Sequence, residues 1–300
     1  RRALPAPEVT ALSVRGPRTP QEEMLCGLFA EVLGLERVGI DDNFFALGGD
    51  SIMSIQLVSR ARKAGLLITP RAVFQHQTVA ALAGAAGPVV ETAPAEADIA
   101  TGEVPPTPIM RWLLERGGAI DRFSQAMLLQ VPAGMQGDHL IGALQNVLDH
   151  HDALRLRLDG AARQHPPWRL EVAPPGTVKA GDCLRRIDIG GLDEEGLRAC
   201  IAAQAQAAEG RLAPAAGVMV QAVWFDAGAA AAGRLLLTIH HLAVDGVSWR
   251  ILVPELAAAW EALAHALVPA PAARGTSFRR WAQRLAKAHH ARCLADPELN

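Results

Sequence analysis

Two short stretches hold residue types that could do chemistry. The first, LLLTIHHLAVDGVSWRIL over residues 235–252, closes an apolar run with His240 and His241, then sets Asp245 and Gly246 ahead of a helix-forming segment. Imidazole is the side chain suited to take up a proton near neutral pH. Successive strand side chains point to opposite faces, so the two rings cannot share one pocket if the strand runs through both, and one of them is structural. Asp245 and Gly246 suit a turn, and either Asp245 or Ser248 can cap the helix that follows. A metal centre is the weaker reading, because it needs three or four convergent ligands and only two histidines and one aspartate stand together here. The second stretch is ALGGDSIMSI, residues 46–55. Gly48 and Gly49 let the backbone turn, and Ser51 falls where loop becomes helix. Taken alone, the tetrapeptide makes Ser51 an N-cap. The sharper reading is covalent attachment, since the free N–H groups and partial positive charge of a helix N-terminus stabilise a phosphodiester.

The elements that must position these residues are legible from period and punctuation. Residues 1–17 are rich in Pro and Arg and aperiodic, as in a tail or interdomain linker. In TPQEEMLCGLFAEVLG, Thr19 is placed to cap, Pro20 suits the first helical position, Glu22 completes a capping box and Gly34 suits the exit. Met24, Leu25, Leu28, Phe29, Val32 and Leu33 then form one apolar stripe. A second helix, IMSIQLVSRARKAG, is expected to turn Ile52, Ile55 and Val58 to a core, and a short one falls in TVAALAGAA. Residues 18–85 are therefore expected to be a small four-helix bundle. Residues 86–101, rich in Ala, Pro and acid, read as a linker. From 102 to 300 helices and strands alternate: strands at FSQAMLLQV, LRLRL, VMVQAVWF and RLLLTIHH, with helices between and after them. That pattern predicts an α/β layer architecture.

Composition excludes several classes. A formal net charge of -2 and no Lys/Arg run beyond a pair leave no footprint for nucleic acid or an acidic membrane surface. Cys26, Cys183, Cys200 and Cys293 lie far apart without metal-ligand spacing, which fits reduced thiols in the cytoplasm. No signal peptide or membrane-length apolar run stands in the sequence.

With Phe44, Phe45, Leu47, Gly48, Gly49, Asp50 and Ser51 in this order, the bundle resembles the peptidyl carrier domain of nonribosomal peptide synthetases. The resemblance implies that Ser51 carries covalent 4'-phosphopantetheine, with Gly49 and Asp50 beside the attachment point. RRALPAP is similar to the extreme end of an adenylation domain, and Asp50 is similar to carriers that precede an epimerization domain. HHLAVDGVSWR resembles the HHxxxDG motif of the condensation superfamily, and its Val-Ser-Trp-Arg continuation resembles the epimerization branch. PPTPIMRWLLE and HHDALRLRL resemble further motifs of the same branch.

The implied fold is a four-helix-bundle carrier followed by an α/β chloramphenicol acetyltransferase-like lobe, incomplete because the branch's downstream EGHGRE motif is not found. Glu255, Glu261 and Glu298 do not stand in such a motif. By the same resemblance His241 is the base, with His240 supporting it. Gly246 gives a ligand room, and Asp245 pairs with Arg155. His150 and His151 read as helix-end or packing residues. Trp112 and Trp249 are candidates for a cleft wall, read here as core residues. The activity implied is L-to-D epimerization of a carrier-bound aminoacyl or peptidyl thioester. The rivals are amide formation by a condensation domain and a catalytically silent docking lobe. Implied partners are an upstream adenylation domain, the remainder of the epimerization domain, a phosphopantetheinyl transferase and a downstream condensation domain, with no nucleic acid and no membrane.

Overall fold

The computed structural model describes residues 15–88, 98–118, 120–159, 168–271 and 275–295, and they fall into two compact units, 1–95 and 96–300. Most of the expected tail and linker lies outside the described residues.

In the first unit, α1 (Pro20–Leu33) starts as its sequence predicts: Thr19 Oγ1 accepts from the Glu22 N–H at 3.1 Å, and Gly34 closes the helix at φ 69°. The Glu22 carboxylate reaches back past the cap residue, accepting the Arg18 N–H at 2.7 Å and pairing with the Arg18 guanidinium. Helix α2 (Ser51–Lys63) follows, then β1 (Leu66–Leu67), α3 (Pro70–Gln75), α4 (Val79–Ala85) and β2 (Gly87–Pro88), which pairs with β1. Thr69 and Thr78 cap α3 and α4. The core gathers Leu25, Phe29, Phe44, Leu57, Val73 and Leu82.

Helix α2 packs Val58 against the core as its apolar residues predict, but not Ile55. Ser54, Leu57 and Ala61 face inward, while Ile55 is 51% exposed. Two of the three inward residues are small. The buried Ser54 hydroxyl is satisfied by donating to the Ser51 carbonyl at 2.7 Å, so a polar residue sits inside without an unmet hydrogen bond.

The second unit runs β3 (Gly102–Val104), α5 (Pro108–Arg116), β4 (Ser124–Val131), α6 (Gly137–His150), β5 (Leu156–Leu158), β6 (Leu170–Val172), α7 (Ala180–Cys183), β7 (Leu184–Asp188), α8 (Glu194–Arg211), β8 (Val220–Asp226), β9 (Gly233–His240), α9 (Trp249–Ala264) and α10 (Phe278–Ala295). One sheet has the order β4-β9-β8-β7, antiparallel except for the β7–β8 pair, and a smaller antiparallel sheet has the order β3-β6-β5. Strand β8 is buried along its whole length. Its alternate residues serve two layers: Val223 and Phe225 meet α8 residues such as Ile201 and Ala205, whereas Ala222 and Trp224 join the core that includes α6 and α9. A strand covered on both faces reads as a continuous apolar run, which is why VMVQAVWF shows little alternation.

Candidate functional site

Strand β9 ends between the two histidines, and that ending separates their roles. His240, its last residue, is fully buried. Its Nδ1 accepts the Leu242 N–H at 3.2 Å, so Nε2 carries the proton and donates to the Ile120 carbonyl at 2.8 Å. The ring thereby ties the turn after β9 to the chain entering β4.

His241 stands one residue beyond the strand, half-buried, in the wall of a cleft of about 640 Å³. Phe123 stacks on it with ring centroids 4.7 Å apart, and its own N–H donates to the Phe123 carbonyl at 2.8 Å. Its Nδ1 lies 2.7 Å from the Val244 carbonyl oxygen, which can only accept, so Nδ1 bears the proton and Nε2 is the acceptor nitrogen. Nε2 lies 3.1 Å from Nε2 of Gln125, whose Oε1 accepts the Trp249 indole N–H at 2.8 Å. The rest of the cleft is mostly apolar: Ile109, Met110, Trp112 and Leu113 come from α5, and Phe278 and Trp281 from α10.

Asp245 shapes the loop that carries His241 into α9. Its carboxylate accepts from the Val247 N–H at 3.0 Å, the Ser248 N–H at 2.9 Å and the Ser248 hydroxyl at 2.8 Å, while Ser248 Oγ accepts the Asp245 N–H at 3.1 Å. Burial alone would raise the Asp245 carboxyl, but these bonds from Ser248 and Val247, with a smaller contribution from His241, outweigh it and hold the group below its ordinary value. This reciprocal turn with Ser248 and Val247 fixes the loop.

The expected Arg155–Asp245 pair is therefore corrected, because the structure does not bring the two together. Arg155 is fully buried and donates to the carbonyls of Leu148, His151 and Ala173, binding the last turn of α6 to β6. A guanidinium offers several fixed donors, which suits it to collect the carbonyls a helix end leaves unpaired. A Cβ on Gly246 would meet no atom within 4 Å, so the position is open.

Trp249 is buried as the sequence suggests, but Trp112 is 50% exposed and lines the cleft. His150 ends α6 and His151 caps it. With Glu255 they put three ligand-type atoms within 4.8 Å of one another. His151 Nε2 and Glu255 Oε2 are 2.6 Å apart, a direct hydrogen bond and closer than two ligands arranged around a metal at roughly 2.1 Å.

In the first unit Ser51 is exposed, at the first position of α2. It is not the cap, which corrects the simplest reading of GGDS. Asp50 is the cap: its carboxylate accepts from the Ile52 and Met53 N–H groups at 2.9 and 2.7 Å. Those donors are thus already used. What the site offers a phosphodiester is an accessible hydroxyl rather than a ready anion cradle. Gly48 takes φ 96°, and a Cβ on Gly49 would stand 2.5 Å from the Phe44 ring, so the two glycines set the loop that delivers Ser51.

Gln125, Phe123, Phe278 and Trp281 went unrecognised in the sequence. The signal for Gln125 was present: it shares strand parity with Met127, Leu129 and Val131, three apolar residues of β4 in or against the core, and a polar residue on such a face needs a partner.

An apolar cleft walled by a histidine, on a lobe that follows a small helical carrier, defines the class. The chain belongs to the condensation family: the family described as "Condensation domain" matches residues 104–296, and that described as "Phosphopantetheine attachment site" matches residues 23–86. It is a carrier domain followed by a condensation-family domain, as in nonribosomal peptide synthetase modules, and such a carrier holds 4'-phosphopantetheine covalently.

Among relatives, a linear gramicidin synthase polypeptide of Brevibacillus parabrevis is 41% identical over 292 residues, covering 95% of this chain and 4% of that protein. Chondramide synthase of Chondromyces crocatus is 37% identical over 290 residues, covering 95% and 7%. The chain thus spans a small part of these relatives. Among solved structures, the epimerization domain from the third module of tyrocidine synthetase B is 25% identical with a TM-score of 0.56, covering 65% of this chain and 42% of that one. The condensation domain of Monacolin K polyketide synthase, 14% identical with a TM-score of 0.51, covers 64% and 41% and shares the fold. No helix among the described residues is long and apolar enough to cross a membrane.

Proposed function

We propose that this chain carries an aminoacyl or peptidyl thioester on Ser51 and that His241 is the base that removes its α-proton, converting the L centre toward D. The observation that carries the reading is the ring's polarity: Nδ1 is committed to the Val244 carbonyl, which leaves Nε2 as the basic nitrogen in the wall of the cleft. When bound, 4'-phosphopantetheine supplies the flexible arm and the thioester that acidifies the α-carbon. Nε2 takes the α-proton to leave an enolate and an imidazolium. A second acid on the opposite face, water or a carboxyl outside the described residues, returns a proton to invert the centre, and the imidazolium gives its proton back to solvent. Apolar residues of α5 and α10 line the cleft beside the ring. Asp245 and His240 act through position, the first through its turn with Ser248 and the second through its bond to Ile120. The likeness to the tyrocidine epimerization domain and the Val-Ser-Trp-Arg sequence after Gly246 support epimerization over amide formation. In this reading an adenylation domain supplies the amino acid, a phosphopantetheinyl transferase modifies Ser51, and a downstream condensation domain consumes the D product.

The test is α-proton exchange. The native polypeptide containing these residues is loaded at Ser51 with an aminoacyl-pantetheine and held in heavy water, and deuterium at the α-carbon is followed by mass spectrometry. Exchange abolished by His241→Ala supports the reading. Amide product without exchange points to condensation, and indifference to His241→Ala points to a docking lobe. Either of these outcomes sinks it.

A further inference from the structure

The chain of hydrogen bonds through His241 has a polarity fixed from both ends. An indole N–H can only donate, so the Gln125 atom facing Trp249 is the amide oxygen, 2.8 Å away. The Gln125 atom facing His241 is then the amide nitrogen, 3.1 Å from Nε2, and an amide NH2 only donates. At the far end the Val244 carbonyl only accepts, 2.7 Å from Nδ1. A flipped amide would set two donors against each other at Trp249, and the Nε2–H tautomer of the ring would set two acceptors against each other at Val244. Trp249 is 7% exposed and joins the core, so the donor that orients the amide is itself held. Strand register supplies the remaining constraint: Gln125 lies opposite Ile239 in the β4–β9 ladder, on the face that meets the α9 core.

We propose that Gln125 is the positioning residue of this site, holding His241 with its proton on Nδ1 and its acceptor nitrogen covered by an amide N–H until an occupant of the cleft takes the amide's place. The role in the reaction rests on the reading of His241 as the base, whereas the polarity of the network does not. A proton on Nε2 would face the Gln125 N–H, so the amide must swing away from Trp249 before that nitrogen can accept one. Gln125 thus links three elements, β4, the loop after β9 and the start of α9, to the protonation state of one ring.

The test reads His241 and Trp249 by NMR in the full chain labelled with 15N-histidine and 15N-tryptophan, with no substrate present. The wild type should show the Nδ1–H tautomer at pH 7 and a downfield Trp249 indole proton. Gln125→Glu keeps an acceptor for Trp249 but presents a carboxylate to Nε2, so His241 should give the imidazolium pattern at pH 7 while the indole signal stays downfield. Gln125→Met, of similar length, removes both partners, and the indole proton should move upfield. In the native polypeptide Gln125→Glu should lower α-proton exchange at pH 7 about tenfold or more, with recovery as pH rises.

A residue that merely filled space would move none of these signals. An unchanged indole proton in Gln125→Met, or a neutral His241 in Gln125→Glu, overturns the proposal, and the Met variant decides alone if the Glu variant does not fold. Should the wild type show no exchange, the epimerization reading falls while the NMR outcome still judges Gln125.

Discussion

Replacing Gly49 with alanine tests how the first unit presents Ser51. The added Cβ would stand 2.5 Å from two ring carbons of Phe44 and 2.6 Å from its carbonyl oxygen, about 1 Å inside ordinary van der Waals contact. Neither neighbour can yield easily. Phe44 is fully buried with its ring edge-on to Phe29 at 5.1 Å, and its carbonyl accepts the Gly49 N–H at 2.9 Å. Overpacking of this kind costs about 1–3 kcal/mol, and a clash that includes backbone falls toward the upper end, about 2–3 kcal/mol. For a unit of this size that corresponds to a loss of roughly 10–20 °C in Tm.

The assay must see the first unit alone. All six tryptophans lie between Trp112 and Trp281, so their emission reports on the second unit and serves as the reference. Hydrogen exchange in peptides from residues 18–85 reports on the first. Gly49→Ala should speed exchange there and slow pantetheine loading at Ser51, while the tryptophan transition stays in place. Gly48 is the control: it has φ 96° and open space, so its alanine variant pays conformational strain without a clash, about 1–2 kcal/mol. A Gly49→Ala protein within about 0.5 kcal/mol of wild type would refute the packing argument.

Three further outcomes follow from the second unit. Arg155→Ala should cost about 2–4 kcal/mol in urea unfolding followed by tryptophan emission, because three carbonyls lose a charged donor in a buried place. Asp245→Asn keeps the Oδ1 acceptor and loses only the charge, so it should cost about 0.5–1 kcal/mol, and the double variant should be additive to within about 0.5 kcal/mol; strong coupling would point to a direct Arg155–Asp245 pair. Because the folded Asp245 carboxyl sits below its unfolded value, its stabilisation is full above the ordinary carboxylate range and is lost as pH falls through the folded value, so wild type and Asp245→Asn should converge in acid. The Cys183 thiol, pushed up to about 11 by burial with a smaller contribution from Asp182, should resist iodoacetamide at pH 8 in the native protein and react on unfolding, whereas the half-exposed Cys200 should react first.

What the sequence made legible was local. The Thr19 cap, the Gly34 exit, the buried run of β8 and the separate placement of the His240 and His241 rings follow from rules that span a few residues. What escaped it depended on partners far along the chain. Ile55 and Ser54 compete for the inward face of α2, and only packing shows that Ser54 can satisfy its hydroxyl locally and go in. Strand β7, with Arg185 and Arg186 in its five residues, carries too much charge to read as a strand, yet it pairs in parallel with β8. The Gln125 link to His241 bridges 116 positions and its link to Trp249 bridges 124, beyond any pattern of spacing. Arg155 misled in the opposite direction, since a resemblance named its partner before the carbonyls of Leu148 and Ala173 were known to be within reach.

Strand β4 has one more consequence. It lies at the edge of its sheet, and among the described residues only β9 pairs with it. Its eight residues, SQAMLLQV, contain no charge and no proline, and Leu128 on it is 46% exposed. The opposite edge, β7, carries two arginines and an aspartate. By its composition the sheet is guarded against intermolecular addition at β7 and, among the described residues, carries no such guard at β4. An uncharged edge of this kind invites intermolecular pairing, so preparations that leave it bare should lose solubility with rising concentration before they lose their fold, as light scattering would show.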